Sequence, residues 1–313
     1  MNWTVNPLCD ALGAKIEGFD FAASWSDEEQ QKLKDLWLEH GLLLVRGENA
    51  NPENQIRFSK LFGELEAHPL KTIRSGEFPE LMELNSEDSR TNPVAVWDGE
   101  EWVGRLGWHK DLIYTGKPNR GAILRAVKLP EVDGQTGYAD QAKAYAALSK
   151  EMKARIEDLK VMYRFEVNLY KMPFFDTSTY VAGPGAPQKP SDVGFPDFPD
   201  SRYPLVLEHP ETGQKILNVC PMFVDRIDGL PKAESDALLT ELVAHVIRPE
   251  FAYLHQWQEG DMILWDNWRY MHSAPGVKPG AKRLIHRTTI LGDTILGESV
   301  PHPSPLPKGE GAH

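Results

Sequence analysis

With 313 residues, 41% of them hydrophobic and 26% charged, the chain has the make-up of a soluble globular protein of one large or two modest domains. A formal charge of −12 excludes a nucleic-acid or anionic-membrane surface, since phosphate contacts need clustered Lys and Arg, and leaves small molecules or other proteins as partners. Cys9 and Cys220 are too few for a disulfide framework, no basic N-terminal region precedes an apolar run, and no apolar stretch reaches the roughly 18–20 residues of a membrane helix; a reducing cytoplasm is the expected location.

Ser26-Asp27-Glu28-Glu29 has the form of a capping box, and Leu33, Leu36, Trp37 and Leu38 follow at mostly helical spacing, which predicts a helix to His40. Gly41 stops it, and 42–45 reads as a buried strand before Arg46-Gly47 turns the chain. A second helix is predicted over 52–62, with Pro52 in its first turn and Gly63 at its end. From about 70 to 107, Gly, Pro, Asn and acidic residues interrupt short apolar pieces, and mostly loop is expected. A strand over 121–127 and helical segments within 139–159 come next. Residues 183–204 hold too many Gly and Pro for regular structure. Beyond them 204–207, 216–219, 251–257, 262–265 and 283–291 read as strands, with a helix over 232–246 among them. The tail 301–313, rich in Pro and Gly, is expected to be disordered. Runs of strands with helices gathered at a few places predict an α+β fold, or a β-sandwich with helices packed on it. No Gly-rich phosphate loop follows a strand, which sets aside nucleotide-binding folds, and there is no internal repeat.

The chemistry-bearing residues are scattered: His109-Lys110-Asp111, His272 beyond Trp265-Asp266-Asn267, and Arg283 with Arg287. Two histidines and one carboxylate make the facial triad that holds non-haem Fe(II) with positions left open. A His-x-Asp/Glu pattern is weak evidence by itself, because 10 His and 46 acidic residues produce about 1.5 of them by chance. A second one does occur, His209-Pro210-Glu211, and with Thr212-Gly213 after it a solvated turn is expected there. His109 and Asp111, flanked by Trp108 and by Leu112 and Ile113, would share one face of an extended segment. A structural or surface role for the pair carries equal weight, and His272 alone reads better as a buried histidine satisfied by a backbone carbonyl. Arg283 and Arg287 fall on one face of a strand, roughly 13 Å apart, where their rigid forks could hold two different anions; solvated arginines at an exposed edge are the alternative.

Taken together these residues resemble the TauD/TfdA family of Fe(II)- and 2-oxoglutarate-dependent dioxygenases. The similarity runs from about Ala14 to Gly292 through Gly47, Phe62-Gly63-Glu64-Leu65, His68-Pro69, Trp108 to Asp111, Gly134-Gln135-Thr136, Trp265 to Asn267, His272, and Arg283 to Arg287. The resemblance implies a double-stranded β-helix, or jelly roll, with flanking helices and long active-site loops, spanning 1–300 as a single domain. It implies His109, Asp111 and His272 as ligands of Fe(II), and Thr136 and Arg283 as the grip on the distal carboxylate of 2-oxoglutarate. Arg287 and His68, with Leu112, are its candidates for the prime substrate. Gln135 stands where the family commonly has aspartate, while the threonine beside it is kept. The implied reaction consumes O2 and 2-oxoglutarate, releases succinate and CO2, and hydroxylates an unactivated C–H bond. Segments 70–107 and 165–204 are the candidate lids, and Phe165, Tyr170, Phe174, Phe175, Tyr180, Phe195 and Phe198 in the second would suit a small anionic substrate that is partly hydrophobic or aromatic, such as a sulfonate, an aryloxyalkanoate or another carboxylic acid. Desaturation, epoxidation or cyclisation at the same centre, a zinc hydrolase, and a non-catalytic jelly-roll binding protein stay open, as does homo-oligomerisation.

Overall fold

The computed structural model describes residues 3–67, 74–88, 94–175 and 177–301, so His68 and nearly all of the tail lie outside the described residues. The chain opens with strands β1 (Thr4–Pro7) and β2 (Ala14–Asp20) and helix α1 (Asp27–His40). The capping box is present: Glu29 N–H donates to Ser26 Oγ at 3.2 Å and Ser26 N–H to Glu29 Oε2 at 3.0 Å, a device worth about 1 kcal/mol. Gly41 ends α1 at φ +68, where a Cβ would stand 2.5 Å from the Tyr270 ring. Strand β3 (Leu42–Glu48) follows, and Gly47 is needed for β2 to pass, since a Cβ there would lie 1.7 Å from the Phe19 carbonyl oxygen. Helix α2 (Pro52–Ser59) is shorter than the predicted 52–62, because Leu61 and Phe62 donate to Phe58 and Ser59 three residues back and tighten the end into a turn.

The segment 70–107, expected to be mostly loop, holds β4 (Leu81–Asn85), β5 (Val94–Trp97), β6 (Glu100–Val103) and β7 (Leu106–His109). After these come β8 (Gly121–Lys128), β9 (Thr136–Asp140), α3 (Gln141–Ala146), α4 (Lys150–Ile156) and β10 (Lys160–Tyr163). Within 183–204, read as irregular, the final residues form β11 (Asp200–Pro204), held between β10 and a later strand. Strands β12 (Val206–Glu208), β13 (Lys215–Leu217) and β14 (Val224–Ile227) precede α5 (Lys232–Val246), whose bounds match the prediction. The last strands are β15 (Ala252–His255), β16 (Met262–Asp266), β17 (Tyr270–Ala274), β18 (Leu284–Ile290) and β19 (Glu298–Val300).

This is a mixed α/β chain, mostly strands with few helices. Two sheets frame the site. One has seven strands in the order β1-β2-β3-β16-β8-β18-β4, antiparallel except for the β2/β3 pair, and the other has four in the order β15-β9-β17-β7. The centre of the larger sheet is buried on both faces, which is why its strands read as continuous apolar runs. Leu43, Val45, Ile123, Met262 and Leu264 join a core with α1 and α2, while Leu42, Leu44, Leu124, Ile263 and Trp265 join one with Tyr138 and Tyr270 of the smaller sheet. The strand pairing thus points one face of β8, β16 and β18 at the interior of the smaller sheet, and that interior is where the polar residues converge.

Candidate active site

His109 ends β7 and His272 lies in the middle of β17, and the pairing of those strands places the two residues directly opposite one another. Their rings are 4.1 Å apart, although 163 residues separate them in sequence. Asp111 was expected to share an extended segment with His109 and does not: the strand stops at His109 and Asp111 sits in a turn. Its side chain still faces both rings, with Oδ1 3.7 Å from His109 Nε2 and Oδ2 3.6 Å from His272 Nε2. The next residue, Leu112, adopts φ +55, a left-handed conformation costly for a branched side chain and common at functional turns.

One amide fixes that turn. Asn267 accepts from Asp111 N–H at 3.0 Å and donates to Asp111 C=O at 3.0 Å, gripping both backbone groups of the residue. Lys110 turns the other way into the core, where its ammonium donates to Trp268 O at 2.7 Å and Asn218 Oδ1 at 3.1 Å, and burial lowers its pKa to about 8. Asp266, beside Asn267, is locked by Arg120 at 2.7 Å and His209 at 2.8 Å. His209 is therefore buried and paired, not the exposed residue of a solvated turn: its Nδ1 accepts from the backbone N–H groups of Glu211 and Thr212, which leaves Nε2–H to donate to Asp266. Glu211 pairs with Arg120 at 2.8 Å.

The donor set suits a divalent iron. His109 Nδ1–H donates to Gly107 O at 2.8 Å, which fixes the tautomer and leaves the Nε2 lone pair facing Asp111. Burial, opposed by Asp111, holds the His109 pKa below its ordinary value, and burial together with His109 holds that of His272 well below it, so both imidazoles are neutral. Burial pushes the Asp111 carboxyl up, but the Arg287 guanidinium, which also hydrogen-bonds it, draws it down and keeps the carboxylate ionised. All three ligand atoms lie within 4.8 Å of one another, close enough to meet on one ion.

Arg283 and Arg287 both project from β18 and its start toward the smaller sheet, as the period of two predicted. Arg283 Nε donates to Gly134 O at 2.9 Å and its Nη2 lies 3.4 Å from Thr136 Oγ1, which also accepts from Trp257 Nε1 at 3.0 Å. Among the described residues Arg283 has no carboxylate partner, and burial lowers its pKa to about 10. A buried guanidinium without an anion is what a bound carboxylate would complete. Arg287, the candidate for the substrate's anionic group, donates from Nη2 to Asp111 Oδ2 at 2.6 Å and from Nε to Thr289 Oγ1 at 3.2 Å. Nη1 has no hydrogen-bond partner among the described residues.

An aromatic wall leads away from the histidines. Phe223 stands 6.4 Å from the His109 ring and 5.0 Å from Tyr114, which packs 4.3 Å from Phe165 and 5.1 Å from Phe198. Phe195 extends it, 5.4 Å from Phe165. Leu112 packs against the same cluster, Tyr180 belongs to a separate group around Trp97 with Tyr170 packed on it, and Phe175 touches both groups. Sequence reasoning missed Tyr114, Phe223, Trp257 and the grip of Asn267. Only the Trp265-Asp266-Asn267 run drew attention to the last, and no spacing rule reveals an amide aimed at a backbone 156 residues away.

Residues 4–289 match the sequence profile of the taurine catabolism dioxygenase TauD, TfdA family. The chain belongs to the TauD/TfdA family. It is 31% identical to an (S)-phenoxypropionate/alpha-ketoglutarate-dioxygenase of Sphingobium herbicidovorans, covering 95% of this chain and 98% of the relative. It is 28% identical to the pentalenolactone F synthase of Streptomyces arenae, covering 94% and 97%. A taurine dioxygenase of Burkholderia xenovorans has a similar structure, with a TM-score of 0.70 at 27% identity over 94% of this chain and 92% of that one.

Proposed function

We propose that this dioxygenase uses Fe(II), O2 and 2-oxoglutarate to hydroxylate an unactivated C–H bond of a small anionic, partly hydrophobic or aromatic substrate, with release of succinate and CO2. The observation that carries the reading is the convergence of His109, Asp111 and His272 beside a buried Arg283 that has no carboxylate partner among the described residues. The two facing sheets are read as a double-stranded β-helix within one catalytic domain over 1–300, with 70–107 and 165–204 closing over the site. Bound iron would supply the oxidative chemistry, coupling decarboxylation of the cosubstrate to C–H hydroxylation. His109, Asp111 and His272 would hold it. Thr136 and Arg283 would hold the distal carboxylate of 2-oxoglutarate and so aim its other end at the three ligands. Arg287, whose Nη1 has no partner among the described residues, would take the substrate's anionic head, and the wall from Phe223 through Tyr114 to Phe165 and Phe198 would take its apolar body while excluding water.

The test is oxygen consumption and succinate release across sulfonates, aryloxyalkanoates, amino acids, sulfate esters and hydrophobic carboxylic acids. Turnover of an anionic class that Arg287→Ala loses is expected, and equal turnover by that variant would remove Arg287 from substrate binding. A second outcome at the same centre, desaturation, epoxidation or cyclisation, is favoured by the similarity to a synthase, and product mass separates it from hydroxylation.

A further inference from the structure

Glu66 has no part in the reading above, yet the strand pairing delivers it to the same pocket. Leu65 and Ile290 form an antiparallel bridge in which Glu66 N–H donates to Thr289 O at 2.9 Å and Leu291 N–H to Glu64 O at 2.8 Å. Glu66 and Thr289 are therefore cross-strand partners, and such partners project from the same face. Leu65 and Ile290 turn toward the core with α1 and α2, so Glu66 and Thr289 turn the other way. Thr289 is the residue whose hydroxyl accepts from Arg287 Nε at 3.2 Å, and Arg287 in turn holds Asp111. The part-buried Glu66 carboxyl thus lies on the side wall of the Arg287 pocket, where Arg287, Asp111 and the Tyr114 phenol all sense its charge. Burial raises its pKa, Arg287 draws it down, and Asp111 raises it again.

The charges decide what this means. Arg287 is a single cation already shared with Asp111. A bare monoanion bound to it would leave Glu66 facing an anion and an apolar wall without a partner, and a dianion would be repelled. A substrate with a cation or hydrogen-bond donor next to its anionic head would satisfy both side chains at once.

We propose that Glu66 is a specificity-determining residue that selects substrates bearing an ammonium or hydroxyl group adjacent to the anionic head, as in an α-amino or α-hydroxy acid. This rests on reading Arg287 as the anion clamp. Full-length protein loaded with Mn(II) and 2-oxoglutarate under argon is titrated calorimetrically with L-phenylalanine, L-3-phenyllactate and 3-phenylpropanoate, which differ only at the α-carbon. Wild type is expected to bind at least one of the first two about ten-fold more tightly than the third, as one charge-assisted hydrogen bond allows. Glu66→Gln should bring the ratio of whichever donor-bearing probe wild type prefers to phenylpropanoate near one and leave 2-oxoglutarate affinity unchanged. The same ratio in both proteins, or no binding of either donor-bearing probe to wild type, overturns the proposal. Failure of the clamp itself reads differently: Arg287→Ala would then bind all three probes as wild type does.

Discussion

Asp111 illustrates how a single candidate ligand position depends on groups outside the cluster of His109, Asp111 and His272. Its carboxylate faces His109, His272 and Arg287, while Asn267 pairs both its backbone groups. Asn267→Ala would leave that N–H and C=O unpaired at a turn already bent by Leu112 at φ +55. Affinity for Mn(II) or Co(II), read by competition with a chelator, should fall about 10–100-fold with the circular dichroism spectrum unchanged, as for other groups that orient a ligand. Arg283→Ala should do the opposite. It removes the buried cation beside Thr136, so the half-saturating 2-oxoglutarate concentration should rise roughly 30-fold or more while metal affinity holds, the loss expected when one side of a buried charge pair is cut away. Equal effects of the two variants on metal and cosubstrate would mean that the sites are one mechanical unit. The ligand and arginine positions were legible in the sequence because the chemistry needs those residue types. Asn267 and Glu66 were not, because an amide or a carboxylate acquires its role only from the backbone the fold places opposite it.

Strand β18 shows the same division along one element. Its odd-numbered residues Arg287 and Thr289 face the site, and its even-numbered residues His286, Thr288 and Ile290 face α2, where Ser59 Oγ lies 2.6 Å from Thr288 Oγ1. His286 Nδ1 accepts from Arg125 Nη2 at 2.9 Å, and burial, with Arg125 beside it, lowers its pKa from 6.5 to about 4. Between those values the unfolded chain binds a proton that the folded chain refuses, so stability falls as pH drops through that window. His286→Asn keeps an acceptor and removes the titration. Urea unfolding at pH 6.5 and pH 4.5 should therefore show wild type losing on the order of 1–2 kcal/mol more than the variant, partial solvent contact trimming the full effect. An equal loss would place the acid sensitivity elsewhere. What made elements readable in advance was locality. The capping box of α1 and the apolar period of α5 lie within the segments themselves, and both helices appear where expected. Strands β4 to β7 are four or five residues long and were hidden within 70–107: β4 is defined by pairing with β18 and β7 by pairing with β17, some 160 to 210 residues away, while the local β5/β6 hairpin is too short, at four residues a strand, to show a clear alternation.

At the scale of the molecule the two segments read as lids are built into each other. The β5/β6 hairpin exchanges two backbone hydrogen bonds with Val181, at 3.0 and 2.9 Å, and Trp97 packs 4.8 Å from Tyr180. Gly183 passes so near β5 that a Cβ would lie 1.7 Å from the Val94 carbonyl oxygen, and Phe175 covers Gly107 in β7, two residues before His109. From the other end of the segment Phe165 reaches Tyr114 and the aromatic wall. The segment read as a lid is thus tied at one edge to the strand that carries His109 and at the other to the surface read as the substrate's apolar seat. Loosening the first tie should open the second. Val181→Pro removes the N–H that donates to Val96 O, at an exposed position where no core packing is lost, so the rest of the fold should persist. Thermolysin should then cut within 165–204 several-fold faster than in wild type. With water admitted to the site, succinate release without prime substrate should rise in parallel. Faster cleavage with unchanged substrate-free succinate release would show that the hairpin anchors the segment but that the segment does not seal the site.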